Sequence, residues 1–375
     1  MQGADCGPRA WTRSIGLLAA VAAGWLVARA FDADGVTAHP GYLFAINALL
    51  GFGLYASTRG IDLAEFREHW GTVLAAVTLG VLLKVALIFG VLFAFYERPE
   101  HLLLAVAVAQ IDPLSVAALR AGSRLSEAGK TLLAAWSSFD DPITVLLTVY
   151  LTALTVGGGT LPVGGVGSLG VNLLLNLALA GAVFAVWRGL RGRRAAGAGS
   201  PAGRAVVLVA VLAAGVVAAS SSLLLALALI GLFYRPGRSA DVDRGAGVAL
   251  YLGTFAIGLV LVNGIDLGTG VVLGVAAFLA QVVAASALTA RPRWRGDRVR
   301  LALGQQNGLT AVILALMLEP VLPAAAVIAP AVVVVNLLHA VTNAVHDHGP
   351  AWVASRSRKW DGTTIPRRPE IVHPS

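Results

Sequence analysis

The sequence predicts an all-α polytopic membrane protein, with about twelve transmembrane helices forming an inverted repeat around two crossed, interrupted helices. Three observations carry that prediction. The chain is 57% hydrophobic and only 13% charged, with a mean hydropathy of +0.78. An ordinary soluble domain carries about 25% charged residues. Apolar stretches of membrane-crossing length follow one another along almost the whole chain, and the tetrapeptide Gly-Ile-Asp-Leu occurs twice, at related places in two helix series.

Stretches of roughly 17 to 25 apolar residues are candidate spans. Twelve are read, at about 14–31, 41–58, 71–95, 101–121, 131–155, 169–187, 205–219, 221–234, 247–264, 269–288, 301–318 and 321–341. The first follows Arg9 and Arg13, as a signal peptide would. It is longer than many signal cores and lacks a clear small-residue cleavage site, so it is read as a membrane helix. The seventh and eighth run together around Ser220, Ser221 and Ser222, the weakest boundary of the twelve. Abundant Ala, Gly, Val and Leu suit helices packed in lipid, where small residues let backbones approach. A single cysteine, Cys6, excludes an intrachain disulfide framework.

Loop charge sets the orientation. With twelve spans and a cytoplasmic N-terminus, 25 of the 28 Lys and Arg residues fall in inside segments, Arg29 and Arg98 fall outside, and Lys84 lies mid-membrane. That is the positive-inside pattern, with both termini cytoplasmic in a cell (inner) membrane. The net charge of +8 is therefore read as topological. No zinc-ligand spacing, Walker loop or RNA-binding signature accompanies it, which argues against nucleic acid as a partner.

Gly60-Ile61-Asp62-Leu63 falls in an inside loop after span 2, and Gly264-Ile265-Asp266-Leu267 in an outside loop after span 9. Equivalent loops on opposite faces are what an inverted repeat produces. Residues 1–345 are then one transmembrane domain. Repeat one covers about 14–155, connector helices about 169–219, and repeat two about 221–341. Residues 346–375 are polar and are expected to form a disordered cytoplasmic tail. The scheme pairs span 4, with Gln110-Ile111-Asp112-Pro113 at its middle, and span 11, with Gly304-Gln305-Gln306-Asn307-Gly308. Proline disfavours helix in the residue before it, and Gly and Asn tolerate non-helical backbone. Both spans are expected to break at the midplane, exposing carbonyls and half-helix ends that coordinate ions.

Asp112, Asp140 and Asp141 lie inside these apolar segments. Carboxylates are expensive in a bilayer, from about 2.5 kcal/mol each, and are usually functional there. Asp-Pro also marks a helix start, with Asp as the N-cap. A fifth helix starting at Asp141 would be too short to cross, whereas one starting at Thr131 puts Asp140 and Asp141 near its centre. For Asp112, capping of a half-helix inside the membrane remains compatible with a functional role. The adjacent Asp140 and Asp141 point about 100° apart. Two such carboxylates in low dielectric resist being ionised together, so at least one is expected to hold a proton near neutral pH. Their deprotonated oxygens are hard ligands for a small cation. Ser137, one turn before Asp141, shares its face. Lys84 is central in span 3 and is expected to pair with one of the aspartates. Asn172, Asn176, Asn263, Gln281, Asn336 and His339 are read as interhelical hydrogen-bonders rather than ligands, with an interfacial place near the inside end of span 12 as the alternative for His339.

These residues resemble the monovalent cation/proton antiporter superfamily, the sodium/hydrogen exchanger family, over most of spans 2 to 12. The likeness is strongest at Ile111-Asp112-Pro113, where members commonly write Thr-Asp-Pro, and at Asp140-Asp141, where they write Asn-Asp or Asp-Asp. It implies exchange of Na+ or K+ for protons, with no cofactor and no enzymatic step. It makes Asp141 the principal ion- and proton-binding residue and Asp112 its partner and co-ligand of the transient cation. Asp140 becomes the second member of the pair; Lys84, Ser137, Gln306 and Asn307 are read from the residues themselves as supporting the site. It also implies a homodimer, in which a dimerisation domain packs against a mobile core domain. The chain departs from the pattern twice. Trp136 stands where many Asn-Asp members carry Glu, and Gln306-Asn307-Gly308 stands where their partner Arg lies. The other transport class compatible with the pattern is a sodium-coupled symporter of an organic anion on a related inverted-repeat fold. An intramembrane aspartyl protease is disfavoured, because neither a Tyr-Asp nor a Gly-x-Gly-Asp context is present around these aspartates.

Overall fold

The structure is a computed structural model and describes residues 8–31, 35–61, 71–112, 116, 125–156, 166–192, 201–237 and 239–358. Every regular element among the described residues is helical. In order these are α1 (Pro8–Phe31), α2 (Tyr42–Arg59), α3 (Gly71–Tyr96), α4 (His101–Val108), α5 (Glu127–Val156), α6 (Val166–Gly192) and α7 (Pro201–Ser221). They continue with α8 (Leu224–Phe233), α9 (Ser239–Val260), α10 (Leu267–Leu288), α11 (Arg298–Ala302), α12 (Leu309–Leu318) and α13 (Ala324–Arg358). Seven helices among the described residues are long and apolar enough to cross a membrane. They are α3, α5, α6, α7, α9, α10 and α13; α8 and α12, with ten residues each, are only about 15 Å long.

Glycine decides how closely the helices approach. A Cβ on Gly24 would strike the Phe255 carbonyl, and one on Gly258 would strike the Val21 carbonyl, so α1 and α9 meet backbone to backbone. Helices α2 and α8 do the same at Gly231, which faces the Tyr55 carbonyl, and α10 meets α13 at Gly270 and Gly274. Polar ties reinforce α2 against α8, since the Thr58 hydroxyl donates to the Ala228 carbonyl at 2.7 Å. Around these contacts one apolar core joins α2, α3, α4, α10, α12 and α13. A second, containing Trp136 and Trp294, packs the start of α5 against α3 and α11. Helices α6 and α7 present Leu174, Leu177, Val209 and Leu212 outward, as lipid-facing helices do.

The weak boundary near Ser220 proves to be a real one. Ser222 takes a left-handed conformation (φ 54) that ends α7, and the Leu223 amide reaches back to the Ala218 carbonyl at 3.0 Å. Asn176 of α6 then accepts from the Ala226 amide at 2.8 Å, satisfying a donor in the first turn of α8. Helix α13 continues to Arg358, past the point where a disordered tail is expected to begin.

The second Gly-Ile-Asp-Leu turns on Gly264 (φ 128), and Asp266 caps α10 by accepting from the Thr269 amide at 3.0 Å. These hydrogen bonds hold the Asp266 carboxyl below the ordinary carboxylate range. In the first copy Gly60 is right-handed (φ −74), so the two glycines differ in conformation. Asp62 and Leu63 lie outside the described residues, as do Pro113, Arg67, Arg120, Arg124, Arg193, Arg194 and residues 359–375.

Candidate functional site

Span 4 stops being helical after Val108, and span 11 is non-helical from Leu303 to Gly308. The two interruptions touch. The Asp112 amide donates to the Gln306 carbonyl at 2.8 Å. Carbonyls left over at the end of α4 take donors from the other break. Gln305 Nε2 donates to Val108 (3.2 Å) and Gln110 (2.8 Å), and Asn307 Nδ2 donates to Val108 (3.1 Å). In lipid such carbonyls must be satisfied inside the protein, and amide side chains do so without adding charge. From α13, Asn336 exchanges two bonds with the Asn307 backbone, at 3.1 and 2.9 Å. His339 Nδ1 donates to the Leu303 carbonyl at 2.7 Å, and its Nε2 meets the Gln306 side chain. His339 is therefore an interhelical hydrogen-bonder, buried against the break.

Asp112 sits at the junction with its carboxyl against Gly308, where a Cβ would collide with it. Its carbonyl accepts from the Val116 amide at 3.1 Å, the i to i+4 spacing of a helical hydrogen bond. Opposite runs α5, with Pro142 inside it. Proline has no amide hydrogen, which frees the Ser138 carbonyl. The Ser57 hydroxyl of α2 lies 3.4 Å from that carbonyl. Thr144 donates to Gln110 Oε1 at 2.8 Å, tying α5 to the first break.

The adjacent aspartates of α5 face different surroundings. Asp140 Oδ2 is 2.8 Å from Lys84 Nζ, with neither side chain accessible to solvent. Asp140 Oδ1 and the Trp136 indole nitrogen are buried with no hydrogen-bond partner among the described residues, and the ammonium lies 5.4 Å from the centre of the Trp136 ring. A π-helical turn at Ala76–Gly80 lies just before Lys84 in α3. Its extra residue changes the phase of the helix that delivers the lysine. Asp141 has Asp112, Asp140 and Lys84 as its charged neighbours. Its Oδ2 accepts from the Thr310 hydroxyl at 2.9 Å, while its Oδ1 is buried with no hydrogen-bond partner among the described residues. A buried carboxylate oxygen left in that state is a binding group for a proton or a hard cation.

The expected site residues thus divide. Asp112 and Asp141 come together, and Asp140 is drawn off to Lys84. Gln306 serves through its carbonyl, and Asn307 through the backbone it stitches. Ser137 does not reach Asp141: its hydroxyl turns back on its own helix to the Ala134 carbonyl at 3.1 Å, where serine competes for backbone acceptors. Thr310, Gln305 and Thr144 were not singled out from the sequence. The available signal for Thr310 was its place in the first turn after Gly308, where a half-helix starts.

Solved structures supply a comparison for this arrangement. The chain is similar to the sodium proton antiporter MjNhaP1 of Methanocaldococcus jannaschii at pH 8, with a TM-score of 0.54 over 87% of this chain and 91% of that one. The fold is that of MjNhaP1. Identity is 16%, so the likeness is one of architecture. No protein-family model matches the sequence, and no curated protein matches it.

Proposed function

We propose that this chain is a secondary transporter of the cation/proton antiporter superfamily, exchanging a monovalent cation, Na+ or K+, for protons across a cell membrane. The observation that carries the proposal is Asp141. One of its oxygens is held by Thr310, the other is buried and unpartnered, and Asp112 faces it from the junction of two interrupted helices. Proton and cation then compete for Asp141, with Asp112 as co-ligand. Asp140 and Lys84 supply a fixed ion pair behind the site. The fold shared with a sodium proton antiporter supports transport rather than catalysis.

The chain is an inverted repeat of spans 1–5 and 8–12, with the two interrupted helices crossing. The reciprocal packing of α1 on α9 and of α2 on α8 supports that pairing, because span 1 on span 9 becomes span 8 on span 2 when the repeats are exchanged. Both termini are cytoplasmic by loop charge, and two copies form a dimer. The test is exchange in proteoliposomes read with a pH-sensitive dye, adding Na+, K+ and Li+ in turn. The wild type is expected to dissipate a pH gradient on cation addition, and Asp141→Asn at equal protein is not. Retained exchange by Asp141→Asn would overturn the proposal.

A further inference from the structure

A buried carboxylate remote from Asp141 joins the starts of two helices that lead to it. Asp297 ends the loop before α11 and is buried. Its Oδ1 accepts from the Ser126 amide at 2.9 Å, and its Oδ2 accepts from the Ser126 hydroxyl at 2.5 Å. Ser126 is the residue from which α5 starts. Its carbonyl accepts from the Lys130 amide at 2.9 Å and its hydroxyl oxygen from the Gly129 amide at 3.0 Å. Gly129 is needed there, because a Cβ would press into the Asp297 carboxyl. The backbone of Asp297 meanwhile starts α11, its carbonyl accepting from the Leu301 amide at 2.9 Å.

One residue therefore begins the half-helix leading to Gln306 and also anchors the helix carrying Asp140 and Asp141. Along α5 the distance from Ser126 to Asp140 is about 21 Å at helical rise. Along the other arm, eight residues lie between Asp297 and Gln306, whose carbonyl holds the Asp112 amide. We propose that Asp297 is a positioning residue for ion exchange: its grip on Ser126 sets the height of α5 against the second break, and so the placement of Asp141 opposite Thr310 and Asp112. The inference rests on the reading of Asp141 as the ion-binding carboxylate. Asp297 touches no transported ion.

The experiment compares wild type, Asp297→Asn, Asp297→Ala and Ser126→Ala in proteoliposomes at equal protein, with apparent KM for Na+ and the pH midpoint of exchange as readouts. Amide hydrogen exchange over residues 127–141 is measured on the same preparations in detergent. Asp297→Ala is expected to raise the apparent KM by about tenfold, the order found when a supporting partner of a ligand is lost. It should also move the pH midpoint and speed hydrogen exchange at the start of α5. Asp297→Asn keeps an acceptor for the Ser126 amide and should fall between, and Ser126→Ala should follow the alanine variant in kind. Lower turnover with unchanged KM and pH midpoint would overturn the proposal, as would unchanged hydrogen exchange. Absence of cation-driven exchange in wild type would instead count against the transport reading, while the hydrogen-exchange arm would still report on the clamp. Should Asp297→Ala fail to fold, Asp297→Asn and Ser126→Ala decide.

Discussion

Lys84 Nζ and Asp140 Oδ2 form a fully enclosed ion pair, 2.8 Å apart, between α3 and α5. Removing one partner of such a pair leaves the other charged and desolvated, at a cost of about 3–5 kcal/mol. Lys84→Met should therefore lower thermal stability in detergent sharply. The double variant Lys84→Met/Asp140→Leu should recover most of the loss, since apolar replacement of both members is often neutral. Equal melting temperatures for Lys84→Met and wild type would show that the pair contributes nothing to folding.

Thr310→Val keeps the shape of the side chain and deletes the donor to Asp141 Oδ2. Hydrogen bonds to charged groups contribute about 1.5–3 kcal/mol, so the apparent Na+ affinity is expected to change by about tenfold or more. Initial exchange rates over a range of Na+ concentrations check this, and an unaltered KM would remove Thr310 from the site.

Gly308→Ala places a methyl group in the Asp112 carboxyl. Overpacking of this kind costs about 1–3 kcal/mol in stability. The displaced atoms belong to Asp112, so exchange should fall further than the melting temperature suggests. Parallel transport and unfolding measurements separate the two effects.

Asp266 gives a pH-dependent prediction away from the membrane interior. Its capping bonds favour the charged form, so the folded-state value is depressed. The stabilisation is present above the ordinary aspartate value, near about 3.9, and is lost as pH falls through the lower folded value. Asp266→Ala should cost about 0.5–1 kcal/mol at neutral pH. That deficit should shrink at acid pH, which denaturation at several pH values would reveal.

Much of this architecture was legible in the residues. Apolar runs gave Gly71–Tyr96 and Leu224–Phe233 to within a few positions, but α9 starts eight residues before the expected span and α13 runs seventeen past it, because polar residues continue those helices beyond the apolar run. The two breaks were legible because Asp-Pro and Gly-Gln-Gln-Asn-Gly oppose helix by local sterics. Partner choice was less so. That Lys84 takes Asp140 rather than Asp141 depends on the phase of α3, which the π-helical turn alters, and no residue pattern announced that turn. Ser137 and Thr310 show the same limit. Helical spacing put Ser137 on the face of Asp141 but could not say that its hydroxyl would turn to Ala134. Thr310, 169 residues from Asp141 in sequence, is brought near only by the meeting of the breaks.

The junction of the breaks is stitched by Gln305, Asn307 and Asn336, all neutral amides. Among the described residues the ionisable groups there are Asp112, Asp140, Asp141 and Lys84, with the imidazole of His339 beside them. Three acids against one base leave an unloaded junction with a negative excess, which hydrocarbon resists, while a bound proton or cation offsets it. On the antiport reading proposed above, that penalty would fall on the protein when it carries neither ion, which disfavours its crossing empty.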